Sequence, residues 1–221
     1  MNTQMADYIN KNILSESYVH IDVVHLNEEQ KKAFANNLME YTKSRGKFAL
    51  YEGIVPEIRT RDGSLKVYSS ITGTLTQALG NFSSFEEALD HLYVDAKRLA
   101  DAMILETLFL AKARGKKVLR HEARTGIIWS TKDLFDRIEL ARNGAEDDAP
   151  RAAKKRLTEI FTKVSRLLEV LASVEDIALV KREVHAKIKT LLIPQKVQGS
   201  KTATDLTMYK SDLKAIENLL A

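Results

Sequence analysis

Three groups of residues have the types and spacing that chemistry needs. His20, Asp22 and His25 fall within the stretch YVHIDVVHL, Tyr18 to Leu26. On an extended chain alternate residues share a face, so His20 and Asp22 stand together as a general base with its orienting carboxylate, and His25 points the other way. Glu87, His91 and Asp95 recur every fourth residue. On a helix that spacing stacks carboxylate, imidazole and carboxylate in one stripe, which a metal could use with help from elsewhere. Asp22 with Glu57-Ile58-Arg59 imitates the Asp…Glu-x-Lys arrangement of metal-dependent nucleases. Arg stands where that pattern has Lys, and a guanidinium does not give up its proton to act as a base.

Each group also has a plainer account as a solvated strand or helix face, and no nucleophile can be assigned beside any of them. Phosphate-binding Gly-x-x-x-x-Gly-Lys-Ser/Thr, the Gly-x-Ser-x-Gly elbow, His-Glu-x-x-His and Glu-x-x-His are absent from the sequence. No catalytic residue, metal ligand or cofactor is therefore assigned, and an enzyme of unrecognised type is the third expectation, behind two kinds of binding surface.

The first surface is basic. Lys112 to Arg124, KARGKKVLRHEAR, holds six Lys or Arg residues and one acid. If a helix persists there, Lys112, Arg114, Lys116, Lys117, Arg120 and Arg124 gather within about three turns, more cations than capping a helix dipole requires. Lys154, Lys155 and Arg156 form a second cluster. The net charge of +4 is modest, but residues 150–221 carry 14 Lys and Arg against 8 Asp and Glu. Such clusters on one face bind phosphates without reading sequence. No aromatic residues are interleaved with them, and no helix-turn-helix or zinc-finger signature accompanies them.

The second surface is apolar. Leu157, Ile160, Val164, Leu167 and Leu171 recur in steps of three and four, as do Ile177 to Leu191 and then Leu206, Tyr209, Leu213, Ile216 and Leu220. Each segment thus has a narrow seam suited to helix packing. Ser69 to Phe82, SSITGTLTQALGNF, offers Ile71, Leu75, Leu79 and Phe82 as one helical face opposite an uncharged one, suited first to packing inside the fold and second to a protein contact. These seams favour a non-enzymatic assembly subunit that pairs with a protein partner or forms a homo-oligomer, with sequence-nonspecific nucleic-acid binding as the alternative.

The elements that would position these residues follow from period and punctuation. Tyr18 to Leu26 alternates as a strand. Asn27 opens a helix that Gly46 should end. KFALYEG, IVPEIRTR and LKVYSSI read as strands, the last two joined by a hairpin at Asp62-Gly63, with Pro56 confined to a sheet edge. Ser84 caps a long helix whose second half, MILETLFLA, is apolar nearly all round and so belongs inside a core, as does Trp129. A further helix covers Ile127 to Arg142. GAEDDAP and IPQKVQGSK are linkers, and three helices fill the last third.

The expected fold class is α+β, a small N-terminal β-α-β-β-β unit followed by a mainly helical, bundle-like region. Its divisions fall at residues 1–82, 83–143 and 150–221. The absence of cysteine rules out disulfides and thiolate chemistry and fits a cytoplasmic address. No secretory signal is read at the N-terminus, and no run is apolar enough for a membrane span.

Overall fold

The computed structural model describes residues 12–22, 26–61, 64–80, 84–113, 117–144, 150–191 and 200–221. The chain divides into two compact units, Met1–Trp129 and Ser130–Ala221. The fold is α+β, with a four-stranded antiparallel sheet near the N-terminus and mostly helices after it.

In the first unit the elements run β1 (Ile13–Ile21), α1 (Glu28–Ala49), β2 (Val55–Arg61), β3 (Leu65–Thr72), α2 (Leu75–Leu79), α3 (Phe85–Leu110) and β4 (Val118–Arg124). The sheet order is β2-β3-β1-β4, every neighbouring pair antiparallel. β1 and β2 are therefore parallel with β3 between them, and β3 and β4 are parallel with β1 between them. Each parallel pair is joined through helix, which is the split β-α-β arrangement made twice.

The helices cover one face of this sheet. Val19, Ile21, Leu65 and Val67 point toward Phe34 and Leu38 of α1 and toward Ile104 and Ala111 beside α3, forming a buried core. Ser15 Oγ ties the same layer by donating to the Ala96 carbonyl at 2.8 Å. Strand residues between these core positions face the other way, because successive side chains alternate across the sheet. Pro56 lies on β2, an edge strand, where its missing N–H costs no ladder bond.

Several expectations need correction. KFALYEG is not a strand: α1 runs through Gly46 to Ala49, and Tyr51 beyond it accepts a hydrogen bond from Thr74 N–H at 2.7 Å. Gly46 does not end the helix because it serves packing: a Cβ there would stand 2.8 Å from both Ile54 Cδ1 and Ile71 Cδ1. Its place in the sheet is taken by β4, from the basic stretch read as helix. β1 begins five residues earlier than Tyr18. Residues 69–82 are not one helical face, since Ile71 belongs to β3 and Leu75 and Leu79 to the short α2, and Phe82 lies outside the described residues. The end of α3 is not wholly buried: Leu105 is 68% and Phe109 75% exposed. Trp129 is 47% exposed and stands beside Tyr93, ring centroids 5.6 Å apart.

Gly126 marks the exit from the sheet. Its φ of +43° lies where side chains are disfavoured, and a Cβ would fall 2.1 Å from the Ile13 carbonyl oxygen. From it α4 (Gly126–Gly144) begins. The second unit contains the rest of α4 with α5 (Pro150–Val170), α6 (Val174–Ile188) and α7 (Ser200–Leu220). α5 and α7 pack most closely. Leu157, Ile160, Val164, Leu167, Leu171, Val180, Val184, Ile188, Tyr209, Ile216 and Leu220 are buried there, while Leu206 and Leu213 are half-buried. Ser173 caps α6 by accepting from Asp176 N–H at 3.2 Å. No helix among the described residues is long and apolar enough to cross a membrane.

Candidate functional site on the open sheet face

Strand register sorts the polar side chains of the uncovered face into rows. Arg61 is paired with Lys66, Lys66 with His20, and His20 with Arg120, so four basic side chains cross β2, β3, β1 and β4 in line. Two residues along, about 7 Å away, the second row is Arg59, Tyr68, Tyr18 and Glu122. The third is Glu57, Ser70, Glu16 and Arg124. Directly opposed residues share a face, with Cβ atoms about 4.5–5.5 Å apart, so each row sets its side chains next to one another.

The second row has two aromatic rings at the centre of the sheet. Tyr18 and Tyr68 lie on adjacent strands with ring centroids 4.7 Å apart and planes inclined by 36°. Burial, and after it the neighbouring Tyr68, raises the Tyr18 hydroxyl above its ordinary range. Guanidinium groups stand over the rings: Arg61 Cζ is 5.8 Å from the Tyr68 centroid and Arg120 Cζ 5.9 Å from that of Tyr18. Both are within cation–π range. His20 Nε2 and Ser64 Oγ are hydrogen-bonded at 2.7 Å.

Charge is graded along the strands. The first row holds three permanent cations and a histidine. The third holds two carboxylates: Glu57, paired with Arg59 at 2.8 Å, and Glu16, 3.5 Å from Arg124. Burial lifts the Glu16 carboxyl above its usual range, against the opposing pull of Arg124 and Arg59. Burial also acts on Glu122, but hydrogen bonds from Arg120 and Arg124 outweigh it and hold that carboxyl below its usual range. The face is cationic at the end where β1 finishes and balanced at the other.

The residues singled out in the sequence are dispersed by the fold. Of the basic stretch, Arg120 and Arg124 stand on this face, in the first and third rows. Lys117 is exposed at the cationic end, where its carbonyl accepts from Asp22 N–H at 2.8 Å. Lys112 is exposed in the turn after α3, with a φ of +50°; Arg114 and Lys116 lie outside the described residues. Asp22 and Glu57 are not brought together. Glu57 is in the third row and Asp22 lies beyond the first, so more than about 13 Å of strand separates them, and the nuclease-like trio does not form. His20 has Ser64 as its partner, and His25 lies outside the described residues. Asp95 of the helical stripe is 3.7 Å from Arg98. Among the described residues no group of three or more His, Asp or Glu is placed to hold a metal ion.

In the second unit Lys154, Lys155 and Arg156 share α5, and Lys154 and Lys155 with Arg151 and Asp205 line an open depression of about 570 Å³. Lys154 is 4.0 Å from Asp205, and Arg156 donates to the Leu140 carbonyl at 3.1 Å. Arg59, Arg61, Lys66, Tyr18 and Tyr68 were not singled out as a binding site. Their alternation with Ile58, Val67 and Val19 was the available signal.

Comparison of the chain with protein-family models, curated proteins and solved structures finds no significant match. The functional reading rests on the geometry above.

Proposed function

We propose that the protein is a non-enzymatic module that binds nucleic acid through the open face of its sheet. The observation that carries this reading is the row Arg61, Lys66, His20 and Arg120, four basic side chains aligned across four strands. A polyanion laid along that row meets several cations at once and releases its counterions, which makes binding independent of sequence and sensitive to salt. The alternative basic surface, on α5, has two of its three cations held by groups of the same unit. A chain without cysteine suits a reducing compartment such as the cytoplasm.

The test is fluorescence anisotropy with labelled RNA and DNA of mixed sequence at rising salt. Binding should weaken linearly on a log–log plot. The combined variant Arg61→Gln, Lys66→Gln and Arg120→Gln should bind more weakly and lower the slope by roughly 2, at 0.7 to 0.9 per lost contact. An unchanged slope and affinity would overturn the reading.

Assembly with another protein is the second reading. Its C-terminal seams are taken up inside the second unit, and the surface that favours it now is Leu105 and Phe109, exposed one turn apart on α3. An oligomer in light scattering that Leu105→Ser with Phe109→Ser converts to monomer supports it; a monomer without that substitution counts against it.

A further inference from the structure

We infer that the ligand of the open face is an unpaired strand, RNA or single-stranded DNA, with two bases stacked on Tyr18 and Tyr68 and phosphates along the row Arg61, Lys66, His20 and Arg120. The inference rests on the nucleic-acid reading and narrows it to one class of substrate.

Phosphate contacts alone do not distinguish a duplex from a single strand, because both present a charged backbone. The rings do. In a duplex the flat faces of the bases are hidden by stacking, whereas splayed bases of an unpaired strand can lie on aromatic side chains, each contact adding affinity with little regard to sequence. Tyr18 and Tyr68 occupy the two central strands with their rings packed 4.7 Å apart, so each holds the other in place before a ligand arrives. The rings are not part of the core, which lies on the opposite face, and the small polar Ser70 follows Tyr68 in the next row.

The rows also orient the strand. The cationic row is about 7 Å from the rings toward the end where β1 finishes. On the other side, Glu16 and Glu57 would repel phosphates. The backbone therefore follows the first row, near exposed Lys117, and the bases point inward over the second. Arg61 and Arg120, already 5.8 and 5.9 Å from the ring centroids, belong to the first row and lie between the rings and the expected phosphates. Arg61 can thus keep its aromatic neighbour while it pairs with an anion, and Arg120 does so by exchanging Glu122, its present partner, for the phosphate.

The experiment compares four probes of equal length on the full chain: unstructured RNA, the same sequence as DNA, its duplex, and an abasic strand that keeps the phosphates and lacks bases. Both single strands should bind more tightly than the duplex, and the abasic strand should lose at least tenfold. Tyr18→Ala and Tyr68→Ala should each weaken single-strand binding roughly five- to 150-fold, the range for one stacked base, and leave abasic binding unchanged. Tyr18→Leu keeps apolar bulk without an aromatic face and should resemble the alanine variant; Tyr18→Phe should retain affinity. Equal binding of the abasic and base-bearing strands, or of duplex and single strand, overturns the inference while the phosphate reading stands. Failure of every probe to bind overturns both. The abasic comparison needs no substitution, so a variant that fails to fold does not decide the outcome.

Discussion

The basic side chains of the sheet and those of α5 have similar composition and different surroundings. On the sheet, antiparallel register sets Arg61, Lys66, His20 and Arg120 in a line across four strands, beside a pair of tyrosines. On α5, Lys154 lies against Asp205 and Arg156 donates to the Leu140 carbonyl, with the cations following the helix rather than crossing it. The apolar sides differ in the same sense. The sheet packs one face into its core and carries polar and charged side chains on the other, whereas the second unit uses its seams for its own helix packing. A local count of positive charge does not separate the two surfaces; the arrangement imposed by pairing does.

The largest effect should come from breaking the bundle. Ile160 is fully buried on α5, and Ile160→Ala removes packed methylenes and leaves a cavity, a cost of about 2–5 kcal/mol. Urea unfolding should show that loss, while oligonucleotide binding below the transition stays at its original value. If binding falls in parallel with stability, the site is not confined to the sheet and the contrast between the regions fails.

A charge exchange sharpens the same contrast. Lys154→Gln, Lys155→Gln and Arg156→Gln remove as many cations as the triple variant of the sheet. The α5 variant should change the salt slope by less than about 1, against roughly 2 for the sheet. Equal slopes would mean that net charge, rather than its alignment, governs binding.

How much of this was legible follows from the separation of the partners. The α+β class, the antiparallel pairing of β2 with β3 and the seams were readable because each depends on residues close in sequence, while the Asp62-Gly63 turn lies outside the described residues. The cap at Ser173 depends on Asp176, three residues on. The rows were not readable, since they need the register between distant strands: His20 meets Lys66 and Arg120 only once β1 is placed between β3 and β4. VLRHEAR became β4 although its charge suggested a helix tail, because an edge strand has one side free to carry polar residues and gains a ladder with β1. Gly46 resembles a helix stop in sequence for the opposite reason: its role is close approach to Ile54 and Ile71, which no local pattern records.

The two units should also respond differently to acid. In the second unit Asp133 is partly buried, which works against its charge, but hydrogen bonds from Lys163 and Arg137 prevail and hold its carboxyl below the ordinary value. Arg137 in turn reaches Glu159 at 2.9 Å. A lowered folded pKa means stability that is present above about 3.8, the unfolded value, and is lost as pH falls through the folded one. Asp133→Asn should cost on the order of 1 kcal/mol at neutral pH and flatten the acid limb of a denaturation profile. An unaltered acid limb would show that this network contributes nothing specific.

Glu16 should give the opposite slope and the smallest effect. Only 6% of the residue is exposed. Its desolvation outweighs the attraction of Arg124 and Arg59, with Glu122 adding repulsion, so its folded pKa lies above the unfolded value of about 4.5. Within the window between those values the folded state holds a proton that the unfolded state has released, and stability falls as pH rises. Above the window the buried charge weighs on the fold at its full extent. Glu16→Gln removes that dependence, so the variant should gain on the original protein as pH climbs from 4.5 through the window and keep a constant lead beyond it. Denaturation midpoints measured across that range decide the matter: a lead that shrinks with rising pH would mean that the ion pair with Arg124 governs Glu16, and that the third row of the sheet stabilises charge rather than tolerating it.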